Sequence, residues 1–245
     1  MTNQTTLAGI PARLQAIEAA TGRLLATVAS MPDASFGQPT VLPDWSRAHV
    51  VAHLALNAEG MTGALSGLAR GEPVPIYVST ERRDADIGEL AALDPSTIRD
   101  RLQAGVVAFA DAVRRVPGAG WSATVDRLPG GPTLAAPETL AMRHREVEIH
   151  HADLGAGYGH ADWPEPFVRE LLDAVTVDQA TAGPFTVTAS DLGSSWPVGA
   201  GNGPEVTGPG GAIGWWLVGR GTDGVTSVSG RLPELLPWRR SPRRT

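Results

Sequence analysis

The chain has 245 residues, a net charge of -6 and 42% hydrophobic residues, enough for one large domain or two small ones of ordinary globular composition. The acidic balance argues against nucleic acid or an anionic membrane as a general partner, and no apolar run reaches the roughly eighteen residues of a membrane helix. All 20 basic residues are arginine and cysteine is absent, which excludes a Schiff-base or P-loop lysine, a disulfide, a thiolate ligand and a cysteine nucleophile.

Residues 1–20 lack the basic-then-apolar layout of a secretion signal, so a cytoplasmic protein is expected. Leu7, Ile10, Leu14, Ile17, Leu24, Leu25 and Val28 recur at helical spacing and predict an amphipathic helix over 7–31, stopped by Pro32 and Asp33. Leu42-Pro43-Asp44-Trp45-Ser46 reads as a turn into a second helix. Asp44 or Ser46 would cap it, and it would run to about Leu68, before Gly71. Residues 72–94 read as a loop with a short extended piece at 74–78. Asp94-Pro95-Ser96 opens a third helix, to Val116. Gly118–Gly131 is irregular or a hairpin, and Pro137 opens a fourth helix, to about Leu154. Four long helices with one long crossover predict a four-helix bundle, whose core can host a metal site.

Composition shifts at the glycine-rich joint 155–160. Beyond it come a helix over 163–181, β-type stretches at Phe185–Ala189 and Val225–Val228, and an apolar helix over Gly211–Gly219. The expected architecture is therefore an α+β two-domain chain: a four-helix bundle over 1–160, then a small α+β domain over 161–245. The terminal Arg239, Arg240, Arg243 and Arg244 read as a solvated tail.

Five of the six histidines fall in two groups, His49/His53 and His144/His150/His151. Glu146 and His150 are four residues apart, which on a helix puts a carboxylate and an imidazole on one face. His53, in mid-helix among Val50, Val51 and Leu54, offers a third donor; His49, one turn earlier, is its rival. Two imidazoles and a carboxylate with one open position suit a catalytic zinc site better than a structural one. The plain alternative for Glu146 is a solvated face paired with Arg143 or Arg145. Asp153 could orient a ligand as an acceptor. Asn57, one turn after His53, could bind substrate or cofactor.

The same residues carry a resemblance. Trp45-Ser46-Arg47-Ala48-His49-Val50-Val51-Ala52-His53 with Asn57-Ala58, and Met142 through Gly155, are similar to the two bundle motifs of the mycothiol-dependent maleylpyruvate isomerases, within the DinB-like metal-binding bundles. Pro75–Ser79 and Gly219–Ser227 resemble loop and C-terminal segments of those isomerases. The resemblance covers nearly the whole chain. It places the three zinc ligands on His53, Glu146 and His150, choosing His53 over His49, and a C-terminal arginine needed for activity on Arg220. The plain alternative for Arg220 is a surface arginine at a helix C-terminus. Arg82 and Arg83, after the Tyr77 loop, could meet an anion. Arg83 joins Arg220 and Asn57 as the candidate cofactor-binding set.

The resemblance implies cis–trans isomerisation of maleylpyruvate to fumarylpyruvate in gentisate breakdown, with bound zinc and mycothiol. A thiolate that adds to a conjugated double bond makes it single; rotation and elimination then give the trans product. Zinc would hold the cofactor sulfur as thiolate. Arginines would bind the dianionic substrate, in a cleft between the two domains. A monomer is expected. Two other readings remain open: a mycothiol-dependent S-transferase acting on other electrophiles, and a non-catalytic metal- or ligand-binding module. Metal-assisted hydrolysis would need a base beside the metal, and Glu148 falls on nearly the opposite helix face from Glu146.

Overall fold

The computed structural model describes residues 2–237, with side chains from residue 9 onward. Arg239, Arg240, Arg243, Arg244 and the side chain of Leu7 lie outside the described residues. The chain divides after Gly157 into two compact units. Among the described residues no helix is long and apolar enough to cross a membrane.

The first unit is built on α1 (Thr2–Ser30), α2 (Arg47–Arg70), α4 (Pro95–Arg115) and α5 (Glu138–Asp153), with α3 (Thr80–Ala91) between α2 and α4. The four long helices form the expected bundle. Their apolar stripes meet in a core that includes Leu24 and Val28 of α1, Val50, Val51 and Leu54 of α2, Ile98 and Leu102 of α4, and Val147 of α5. Burying side chains of this size contributes about 1.5–3 kcal/mol each. The start of α2 resolves between the two caps: Ser46 is the N-cap, whereas Asp44 sits in the turn before it at φ 64°, a conformation Asp tolerates.

One expected loop is a helix. Residues 80–91 form α3, where the sequence pattern predicted irregular chain. Ser79 caps it, its Oγ accepting from the Arg82 amide at 3.0 Å. Arg82 ties to Asp86 one turn on, and Ile87 and Leu90 enter the bundle core. Only two residues face inward in twelve, too few for a clear apolar stripe. The residues before α3 remain extended: the Ile76 and Tyr77 amides donate to the carbonyls of Asp126 and Arg127 at 2.9 and 3.0 Å. Asp126 ends β1 (Thr124–Asp126), which pairs antiparallel with β2 (Thr133–Ala135), so the 118–131 stretch leads into a hairpin.

Gly60 of α2 lets this extended segment lie against the helix. A Cβ there would stand 2.5 Å from the Ile76 carbonyl oxygen, well inside contact distance. Gly60→Ala must push Ile76 and Tyr77 outward and is expected to destabilise the fold by about 1–3 kcal/mol, read by denaturant titration. Unchanged stability would mean that the segment is not held there.

The second unit has α6 (Glu165–Asp178) packed on α7 (Gly210–Leu217), with a four-stranded sheet of order β4-β3-β5-β6. Here β3 is Phe185–Ala189, β4 Ser194–Val198, β5 Glu205–Gly208 and β6 Thr226–Ser227. The β3/β4 and β5/β6 pairs are antiparallel and β3/β5 is parallel. Strand β3 covers the residues expected from the sequence, and α7 matches the apolar helix to within two residues at each end. Strands β4 and β5 were not expected. Pro197 is tolerated in β4 because that strand is a sheet edge, and β5 has four residues with a single buried side chain, Val206.

Candidate metal centre

Helices α2 and α5 carry the donor set. His53 is buried in the middle of α2. Glu146 and His150 follow each other by one turn on α5. The Glu146 Oε2 lies 2.8 Å from His53 Nε2 and 3.2 Å from His150 Nε2. One donor atom from each of the three residues falls within a 4.8 Å cluster. In a tetrahedral site with bonds of about 2.0 Å, neighbouring donors stand about 3.3 Å apart. The cluster is therefore close to the size a bound zinc requires, and its nitrogen and oxygen donors suit that metal. Glu146 points between two imidazoles rather than lying on a solvated face.

Charges at the cluster follow from its surroundings. Burial pushes the His53 imidazole down to about 4, against the hydrogen bond and charge of Glu146, so His53 is neutral at pH 7, as a metal ligand must be. Burial alone would raise the Glu146 carboxyl, but hydrogen bonds from His150 and His53 hold it well below the usual carboxylate range. His150 also feels burial as a downward pull; hydrogen bonds to Asp153 and Glu146 overcome it and raise its pKa. The Asp153 carboxylate, fully buried, accepts from His150 Nδ1 at 2.8 Å. That bond turns Nε2 toward Glu146.

The surrounding side chains complete the wall. The Trp45 ring lies 5.6 Å from the His53 ring and 6.4 Å from the His150 ring. Arg83, at the start of α3, brings a guanidinium NH2 to 3.4 Å from His53 Nδ1 and stands 5.5 Å from the Tyr77 ring centroid. Its neighbour Arg82 turns away, to Asp86 and Glu89.

Asn57 has a different place from the one expected of a ligand-contacting residue. It is fully buried; its Nδ2 donates to Tyr77 Oη at 2.9 Å and its Oδ1 accepts from Arg143 at 2.7 Å. Both ends of the amide are thus engaged by protein. Arg143 is itself buried, one turn before Glu146, and also donates to the Leu54 carbonyl at 3.0 Å. Burial lowers its pKa to about 10, which leaves it charged at neutral pH.

The other histidines have separate duties. His49 receives the Ser46 hydroxyl on Nδ1 at 2.8 Å at the start of α2. His151 bonds Thr27 of α1 at 2.8 Å, and His144 stands 3.7 Å from Glu148. Arg220 belongs to the second unit. It follows Gly219, which takes φ 77°, a conformation glycine adopts freely. Its NH1 donates to the Val218 carbonyl at 3.2 Å, at the C-terminal end of α7. Sequence reasoning did not single out Trp45, Tyr77 or Arg143 for a role at the site. A helical-face argument could have found Arg143, three residues before Glu146.

This fold and donor set define a class: a DinB-like helical bundle with two imidazoles and a carboxylate fit for a metal ion, followed by a small α+β unit. The model of the mycothiol maleylpyruvate isomerase N-terminal domain matches residues 17–155, and that of the C-terminal domain matches residues 162–237. The chain belongs to the mycothiol-dependent maleylpyruvate isomerase family. A crystal structure of the mycothiol-dependent maleylpyruvate isomerase is 32% identical, with a TM-score of 0.86 over 94% of this chain and 97% of that one. A histidine-to-alanine mutant of that isomerase is 31% identical with the same TM-score and coverage. No curated protein matches.

Proposed function

We propose that this chain is a zinc- and mycothiol-dependent cis–trans isomerase that converts maleylpyruvate to fumarylpyruvate, a step in gentisate breakdown. One observation carries the reading. Two imidazole nitrogens and one carboxylate oxygen converge from α2 and α5, in a chain similar over almost its full length to a mycothiol-dependent maleylpyruvate isomerase. Three protein donors leave a fourth position for an external ligand.

When bound, zinc and the thiol would supply an ionised sulfur nucleophile able to add reversibly to a conjugated double bond. The chain's own residues do the rest. His53, Glu146 and His150 hold the metal, and the Glu146 charge offsets part of the ion's. Asp153 fixes the His150 ring. The indole of Trp45 keeps one side of the two imidazoles apolar. Arg83 places a cation beside His53, where an anionic thiol cofactor or a substrate carboxylate can pair with it. Arg220 serves as the catalytic arginine of the second unit, binding a carboxylate. No protein thiolate competes for the metal, because the chain has no cysteine. All three donors come from one chain, so a monomer suffices to complete the donor set.

Asp153→Asn is expected to weaken zinc binding about 10–100-fold, measured by competition with a chromophoric chelator; unchanged affinity would remove Asp153 from the account. The function is tested by incubating the zinc-loaded protein with maleylpyruvate, and separately with a general electrophile, each with and without mycothiol. Mycothiol-dependent formation of fumarylpyruvate is expected. Conjugation of the electrophile with no isomerisation would favour an S-transferase instead.

A further inference from the structure

The Asn57–Tyr77–Arg143 network has a direction. Arginine can only donate hydrogen bonds, so the Asn57 amide must turn its oxygen to Arg143, 2.7 Å away. Its NH2 group is then committed to the Tyr77 oxygen at 2.9 Å. Tyr77 accepts in that bond, and its own O–H proton must point somewhere else. Among the described residues that proton has no acceptor.

The residues that hold the hydroxyl also stand next to metal donors in sequence. Asn57 follows His53 by one turn on α2, and Arg143 precedes Glu146 by three residues on α5, so both supports lie on the ligand-bearing faces. Arg83 links the Tyr77 ring to His53. Burial, and then the Glu146 charge, raises the Tyr77 pKa, which keeps the phenol protonated at neutral pH. The Arg143 Nε and NH2 are buried with no partner. A charge this costly to bury needs a reason, and fixing the polarity of the amide supplies one.

We propose that Tyr77 donates a hydrogen bond to the substrate oxygen that gains negative charge during isomerisation, and that Asn57 and Arg143 are positioning residues that aim its hydroxyl. This rests on the isomerase reading above. As the sulfur–carbon bond forms, the double-bond electrons move through the conjugated system to a carbonyl oxygen; they return when that bond breaks. Tyr77 stabilises the charge in between, with no net proton transfer. A prepositioned donor aimed where charge develops lowers the barrier more than one that reorients during reaction.

Tyr77→Phe keeps the ring and its contact with Arg83 and removes only the hydroxyl. It is expected to lower kcat about 100–1000-fold with zinc content and the KM for mycothiol unchanged. Asn57→Asp keeps the shape but cannot donate, so Tyr77 must turn its proton toward the new carboxylate. It should lower kcat by a similar factor while Tm holds, and the double variant should be no slower than either single one. A kcat within twofold of wild type for Tyr77→Phe, or factors that multiply in the double variant, would overturn the proposal.

A second readout does not depend on turnover. The chain has two tyrosines, so 13C-tyrosine NMR resolves Tyr77 by its loss in Tyr77→Phe. Succinylpyruvate, the saturated analogue, cannot isomerise; added to the zinc-loaded protein, it should shift the Tyr77 signal. No shift would overturn the proposal. A shift with an inactive wild type would retain Tyr77 as a donor and reject the isomerase reading; normal turnover by Tyr77→Phe would reject the Tyr77 role alone.

Discussion

Replacing His53 with alanine is expected to abolish zinc retention and to reduce isomerisation by at least about a thousand-fold, the loss of several kcal/mol of metal-assisted stabilisation. The reason is positional. His53 is the single donor from α2 in a cluster whose other two members come from α5; without it, one carboxylate and one imidazole remain, too few to hold zinc against water. The substitution also leaves a cavity among buried residues, so some stability is lost. The decisive comparison is therefore metal content by elemental analysis beside kcat on folded protein. Full activity in a verified zinc-free variant would defeat the metal mechanism.

The second large effect separates two glutamates on one helix. Glu146 and Glu148 are two residues apart on α5, so their side chains leave opposite sides. Glu146 faces the His53 and His150 rings. The Glu148 side chain is fully buried on the other side, bonded to Arg23 of α1 at 2.6 Å and near His144. Glu148→Ala leaves Arg23 without that carboxylate and is expected to cost about 2–3 kcal/mol, below the range for a fully buried pair because Arg23 is partly exposed. Zinc content and kcat of the folded protein should stay near wild type. Glu146→Gln should do the reverse, losing zinc and activity at modest cost in stability. Chemical denaturation and metal analysis on both variants check this. Loss of zinc from Glu148→Ala at full stability would invert the assignment.

Much of this was legible from the residues. The four bundle helices carry long apolar stripes with clear stops, such as Pro32 after α1 and Gly71 after α2, so their limits were readable to within a few residues. The spacing of Glu146 and His150 put two donors on one face with no structural help. Spacing alone could not choose between His49 and His53. Those residues sit one turn apart; the family resemblance chose His53, and the tertiary structure sets His53 across from α5 and His49 against the Ser46 cap. Helix α3 escaped because its inward face is only Ile87 and Leu90. Strand β4 escaped because an edge strand tolerates the serines and proline that usually mark a loop. The duty of Asn57 was hidden for a different reason: its helical face was right, but its partners Tyr77 and Arg143 lie 20 and 86 residues away in sequence.

X-ray absorption at the zinc edge, on the loaded protein before and after mycothiol is added, reads whether zinc held by His53, Glu146 and His150 takes up an external thiol sulfur. Nitrogen and oxygen neighbours alone are expected at first, then one sulfur at about 2.3 Å. A zinc environment unchanged by mycothiol would defeat the thiolate mechanism.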